Sequence, residues 1–229
     1  MSDWMARLKA DPTDWLLEGD DPSVRYLTLR DLLGRGEGDP EVREARRRIM
    51  EVGAVPRILA RQEPGGHWGK PEHFYQNSKY KGTVWNLIIL GELCADPADE
   101  RVRRACEFVL TWSQHRPSGG FSYKGSERNG GNRSVFSCLT ANMLFALVRL
   151  GYADDPRVRQ GFEWISQYQR FDLGPYDNKD WPYQYDLCWR NHTCRSGVVK
   201  VLKAIAEVPE SERSPGMRKA AERGTEFLL

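Results

Sequence analysis

The amino-acid sequence predicts an all-α protein built from about four tandem helix pairs. Three observations carry that prediction. A Gln-Gly-aromatic motif recurs at nearly constant spacing. Acidic-Pro helix starts recur in phase with it. Strand patterning is nearly absent, and an apolar helical stretch precedes each acidic-Pro start.

The motif is anchored by three glutamines. Gln62 opens QEPGGHW, Gln114 opens QHRPSGGF and Gln169 opens QRFDLGPY, spaced 52 and 55 residues apart. Each is followed by a glycine and then an aromatic: Gly66 with Trp68, Gly119 with Phe121, Gly174 with Tyr176. An aromatic-aliphatic pair stands upstream of the last two, Phe108-Val109 and Trp164-Ile165. A fourth copy begins at Arg223 and runs only to residue 229, so either the last helix caps the array or the repeat is incomplete there.

The second signal opens the outer helices. Asp39-Pro40, Asp155-Pro156, the looser Asp96-Pro97 through Val102, and Ser214-Pro215 each mark a start. Proline suits a first helical turn because its missing N–H would have no partner there. An Asp or Ser just before it can accept from the free amides.

Four more apolar helices precede these starts, at Val24–Leu33, Thr83–Leu93, Ser134–Leu150 and Arg195–Ala206. Between Cys138 and Leu150 the apolar residues follow a 3.6-residue period. Each unit is therefore an apolar inner helix, a short turn and a more charged outer helix. A single such unit cannot bury its own apolar face, so neighbours must stack. The loops Gly65–Asn77, Ser118–Asn132 and Gly174–Asp186 are long for a compact domain, and long loops often carry function.

Gln-x-x-x-Gly-x-Trp at residues 62–68 resembles the QW motif of squalene and oxidosqualene cyclases, with Phe121 and Tyr176 in place of the tryptophan in the later copies. Protein prenyltransferase β subunits share the α/α-toroid architecture of those cyclases. The resemblance implies a partial α/α toroid over residues 51–229 and a structural role for the motif, with the Gln amide capping helix-end groups and the ring packing on a neighbouring outer helix. Residues 1–50, with DPSVRYLTLRDLL followed by DPEVREARRRI, are similar to a HEAT-type helix pair and read as an N-terminal cap.

Composition narrows the function classes. Charged residues make up 29% and hydrophobic residues 40% of the 229 residues, as in an ordinary globular protein. The formal charge is +2, from 34 basic and 32 acidic residues, which gives no footprint for nucleic acid. The run Arg43–Arg48 contains a glutamate and reads as a solvated helix face. No stretch approaches the roughly 18 apolar residues of a membrane span. The first residues lack a signal core. The five cysteines are spread through a large chain, so they do not form a disulfide scaffold. A cytoplasmic location is expected.

In the cyclases and prenyltransferases the ligand cavity is lined by inner helices and the loops entering them. That resemblance directs attention here to Trp85, Cys138, Asn142, Tyr183, Tyr185 and Trp189 as candidate cavity residues. Aromatic rings there suit an apolar or cationic guest, although large rings are as often packing anchors. The acid motif DxDD and the ionisation motif DDxxD are both absent, which counts against a self-sufficient cyclase.

Residues 185–194, YDLCWRNHTC, hold the densest polar cluster. Asp186-x-Cys188 looks like the Asp-x-Cys pair that supplies two zinc ligands in prenyltransferase β subunits. His192 and Cys194 complete a candidate metal set of Asp186, Cys188, His192 and Cys194, all competent zinc ligand types. The prenyltransferase ligand histidine comes from a much later helix, and Cys188-x5-Cys194 is not a zinc-finger spacing. The structural alternative is a capping Asp with buried thiols and a locally bonded His192. No cofactor other than zinc is implied. Cys138 aligns with Cys194 one repeat later. His67 and His115 read as loop hydrogen-bonders. Gly119-Gly120 and Gly130-Gly131 lack the Lys-Ser/Thr of a phosphate loop and read as a flexible tip, with Lys124, Arg128 and Arg133 near enough to contact an anion.

Three functional expectations follow. The first is a terpenoid cyclase- or prenyltransferase-like protein whose inner-helix cavity binds an isoprenoid or other apolar ligand, with transferase or cyclase-like activity if it is an enzyme. The second is a non-catalytic repeat module that presents its loops to a protein partner. The third is a zinc enzyme acting on thiol or peptide substrates. It would be similar to the lanthionine-forming cyclases, another α/α toroid, but their Cys-His-Gly signature is missing.

Overall fold

The computed structural model describes residues 8–75, 81–173 and 193–229. These residues are mostly helical. In chain order the helices are α1 (Thr13–Leu16), α2 (Pro22–Leu27, continued by a π-helical turn to Leu32), α3 (Pro40–Ile49), α4 (Ala54–Leu59), α5 (Thr83–Glu92), α6 (Glu100–Trp112), α7 (Ser137–Leu147, continued by a π-helical turn to Tyr152), α8 (Pro156–Tyr168), α9 (Arg195–Ala206) and α10 (Pro215–Leu228).

The acidic-Pro starts behave as helix caps. Asp39, Asp99 and Asp155 each accept from the amide two residues on, at 2.8 Å, and Ser214 Oγ accepts from Met217 N. Proline fills the first turn of α2, α3, α8 and α10. One start differs from the expectation. Asp96 caps only a turn, through Ala98 N, and Asp99 takes the helix-capping role. The helix therefore begins at Glu100, because a second carboxylate stands three residues after the proline-linked one.

Helices α5, α7 and α9 lie side by side and run parallel. At their starts, a Cβ placed on Gly197 would lie 3.6 Å from Ser137 Cβ. Near their ends, a Cβ on Gly91 would lie 3.2 Å from Ala146 Cα. Further along, Arg149 reaches Glu207 at 3.2 Å. The more charged helices α6, α8 and α10 pack against them, α8 and α10 also against each other. In α7 nearly every residue is buried, so this helix is the centre of the core. One continuous hydrophobic cluster runs from Tyr26 to Ala220, with Trp164, Phe74, Phe121 and Phe145 among its largest buried side chains.

Two local departures have clear causes. Helix α7 starts at Ser137 rather than Ser134 because Phe136 is extended (φ −151°) and Val135 bridges to Ser122. The Gly130-Gly131 pair is not a flexible tip. It forms strand β2 (Gly130–Gly131) against β1 (Gly125–Ser126), is buried, and donates from Gly131 N to Gln114 O at 2.8 Å. Short extended segments escape a search for alternating hydrophobicity because two-residue strands have no period to show.

Candidate functional site: the open face of the parallel helices

One side of the α5–α7–α9 layer is only half covered by the described residues. On α5 the stripe Trp85, Ile88, Ile89 and Glu92 follows the i, i+3, i+4, i+7 spacing of one helix face. Its three apolar members are half-buried and Glu92 is exposed. On α7 the matching stripe is Cys138, Asn142, Phe145 and Arg149, with Phe145 buried and the others half-buried. On α9 it is Val199, 52% exposed, and Lys203.

Contacts at the C-terminal ends place the three stripes on one face. Lys203 Nζ hydrogen-bonds Glu92 of α5 and lies 4.0 Å from the centroid of the Phe145 ring of α7. The ion pair thus spans α7 and closes the bottom of the face, while the ammonium rests on an aromatic surface. Arg149 ties the same end together. Its Nε donates to Gly91 O at 2.9 Å, its Nη1 to Glu207 at 3.2 Å, and its Nη2 lies 2.9 Å from Cys94 Sγ. Burial opposes the charge of this guanidinium, but Cys94 and Glu207 outweigh it and raise its pKa. A cation is also well placed where helix carbonyls end.

The opposite, N-terminal end is rimmed by aromatic rings. Tyr75, Tyr123 and Phe136 have centroids 5.6–6.3 Å apart, Phe136 standing one residue before α7. The starts of α7 and α9 meet here. Ser137 Oγ is buried and has no hydrogen-bond partner among the described residues, and Cys194, half-buried, is the residue before α9. The face is therefore an apolar floor with one amide, Asn142, in its middle, an aromatic upper rim and a charged lower edge. Such a surface can hold an elongated apolar molecule and orient it through one hydrogen-bonding group.

The structure places Trp85, Cys138 and Asn142 of the sequence-predicted residues on this face. Tyr183, Tyr185 and Trp189, and the metal candidates Asp186, Cys188 and His192, lie outside the described residues. Of the metal set only Cys194 is described, and no group of three metal-ligating side chains occurs among the described residues. His67 Nδ1 contacts Gly69 O at 2.8 Å, and His115 Nδ1 contacts Ser118 Oγ at 2.8 Å, as loop-bonding histidines do. Burial and the nearby Arg133 lower the His115 pKa, favouring its neutral form. Four cavities lined by described residues lie elsewhere: beside α6, around Cys94, beside α4 and along α3. Sequence reasoning missed Ile88, Ile89 and Val199. The 3.6-residue phase of Ile88 and Ile89 relative to Trp85 was the available signal, whereas Val199, five residues after Cys194, shares no such phase with it.

The QW-like loops take matching conformations behind this face. Gln62 Nε2 donates to Arg101 O at 2.8 Å and to Gly66 O at 3.4 Å, and Gln114 Nε2 donates to Arg157 O at 2.7 Å and Gly119 O at 2.8 Å. Trp68 N donates to Thr83 Oγ1 and Phe121 N to Thr140 Oγ1. Gly66 and Gly119 sit at φ +83° and +82°, and a Cβ on either would strike a backbone oxygen of the next outer helix, Arg104 O or Gln160 O. Only glycine fits both the conformation and the approach. No family model, curated protein or solved structure matches the chain.

Proposed function

We propose that the chain is a partial α/α toroid of tandem helix pairs and that its open inner face binds an isoprenoid or other apolar ligand. The paired contacts of Gln62 and Gln114 support the repeat, since equivalent side chains reach the first turns of α6 and α8, whereas Gln169 donates to its neighbour Arg170 O. The observation that carries the ligand reading is the half-buried Ile88 and Ile89 of α5 and the 52% exposed Val199 of α9, apolar side chains on the face that Glu92 and Lys203 bridge. Any cyclase- or transferase-like chemistry would act on a ligand held there, with Asn142 and the rim tyrosines positioning it.

Titration with farnesol, a neutral isoprenoid, tests this by tryptophan fluorescence and calorimetry. The proposal expects saturable binding of one equivalent. Val199→Glu, an exposed substitution that places a charge on the apolar floor, weakens it at least tenfold, and Val199→Leu leaves it within about threefold. Absence of saturable binding, or equal affinity in Val199→Glu, contradicts it.

One observation favours a second reading, a docking surface for a protein segment. Helix α7 is packed solidly and Phe145 is capped by Lys203, which makes the face a shallow groove rather than an enclosed chamber. An amphipathic helix laid on it would cover the same stripe. Stoichiometric capture of one partner, competed by neither farnesol nor other isoprenoids, separates this reading from the first.

A further inference from the structure

A cavity of about 560 Å³ lies between α4, the turn after Gln62 and the start of α5. Its described lining includes Arg57, Ile58, Arg61, Trp68, Lys81 and Asn86, and contains no carboxylate. Among the described residues none of the three cations forms an ion pair. Arg57 uses Nε on Gly53 O, at 2.8 Å, which leaves the rest of its guanidinium unengaged by described groups. On the outer helices Arg101, Arg104 and Arg157 are paired with carboxylates, whereas Arg103, Arg218 and Arg223 form no ion pair among the described residues.

Hydrogen bonds fix part of the walls. Asn86 Nδ2 donates to Lys81 O at 2.8 Å and Gly82 O at 3.1 Å, which fixes the backbone that carries Lys81. Trp68 is nearly buried, and its Nε1 donates to Ile58 O at 2.9 Å, so its polar edge is satisfied and its ring forms an apolar wall. Arg57, in α4, and Arg61, in the turn that follows the helix, both line the cavity.

The repeat shows that these cations are not part of the stacking machinery. Before Gln169 the aromatic-aliphatic pair is Trp164-Ile165, and before Gln114 it is Phe108-Val109. Before Gln62 the pair is Arg57-Ile58. Counted back from the glutamine, Arg57 stands where the third copy has Trp164 and the second has Val109, and Arg61 stands where the third copy has Tyr168.

We propose that this cavity binds a phosphate-bearing ligand, with Arg57, Arg61 and Lys81 gathering the phosphate oxygens and Ile58 and Trp68 accommodating a small organic portion. Guanidinium forks match the geometry of phosphate oxygens, and an ammonium adds charge from the opposite side. This site is separate from the apolar face and stands whether or not an isoprenoid binds there.

Calorimetry at low ionic strength tests it, with inorganic pyrophosphate as the first probe and phosphatidate-containing vesicles in a sedimentation assay as the second. The expected result is saturable binding of one pyrophosphate, at least tenfold weaker in Arg61→Gln/Lys81→Gln, retained within about threefold in Arg61→Lys/Lys81→Arg, and weakened by added salt. Pyrophosphate binding without vesicle binding identifies a small soluble phosphate as the ligand class. Binding of both, each lost in the Gln variant, identifies a lipid head group. The three residues are exposed, so the variants should fold, which circular dichroism verifies. Arg159→Gln/Lys219→Gln, two exposed cations remote from the cavity, serves as the charge control. No binding to either probe, unchanged binding in Arg61→Gln/Lys81→Gln, or an equal loss in the remote control overturns the proposal. Farnesol titration of the same Gln variant should be unaffected, so failure here is distinguishable from failure of the apolar-face reading.

Discussion

Gln114 Nε2 donates to the carbonyl oxygen of Arg157 at 2.7 Å, joining the end of α6 to the first turn of α8. The same side chain holds Gly119 O at 2.8 Å, and Gln114 is only 3% exposed. Gln114→Ala removes both donors and leaves two carbonyl oxygens to find water in a covered site. A loss of about 2 kcal/mol is expected. Gln62→Ala should cost less, because Gln62 is half-buried and its second bond, to Gly66 O, is 3.4 Å. Urea unfolding of the two variants checks the order.

Cys94 sits at φ +58°, just past the end of α5. Gly34 and Gly151 hold the corresponding places after α2 and α7, at φ +66° and +87°. A left-handed residue after a helix favours glycine, since a Cβ there is strained. Cys94→Gly should therefore match or exceed the wild-type stability, offsetting the lost Arg149 contact. Cys94→Ala, which keeps the strain and loses the contact, should be less stable than either. Thermal midpoints of the three proteins decide it.

The pH dependence follows from the helix caps. Hydrogen bonds from the Arg101 side chain lower the pKa of Asp99, and those from Arg157 lower that of Asp155, against the opposing effect of burial. A carboxylate depressed in the folded state contributes stability that is present above its unfolded pKa, near 4, and is lost as pH falls through the folded value. Urea midpoints should be flat near neutrality and drop below about pH 4. Asp99→Asn/Asp155→Asn should be less stable at pH 7 and lose less between pH 5 and pH 2.

Much of the helical plan was legible in the sequence. The range 195–206 coincides with α9, and Thr83 opens α5 as the apolar pattern indicates. These helices read well because their apolar period and their starts agree. The Asp96-Pro97 start was misplaced because two Asp residues compete within one turn, and only the backbone shows which one caps. The β1–β2 hairpin was illegible, since glycine pairs read equally as flexible tips and as closely packed strands. Within the candidate site, Trp85, Cys138 and Asn142 were reachable from repeat alignment. The Glu92–Lys203 bridge was not, because the two residues are 111 positions apart and meet only across α7.

That bridge gives a chemical test of the layer itself. Zero-length carbodiimide coupling should join Glu92 to Lys203, identified as a linked peptide by mass spectrometry. Lys203→Arg should abolish the product without unfolding the protein, because the charge is retained. A native protein that yields no such link has a different arrangement of α5 and α9.

The most direct measurement is photolabelling with a diazirine-bearing isoprenoid alcohol, followed by peptide mapping. Adducts are predicted on residues 83–92 and 195–206, concentrated at Trp85, Ile88, Ile89 and Val199, and suppressed by excess farnesol. Adducts spread over α6, α8 and α10, or insensitive to farnesol, would contradict the assignment of the open face as the ligand site.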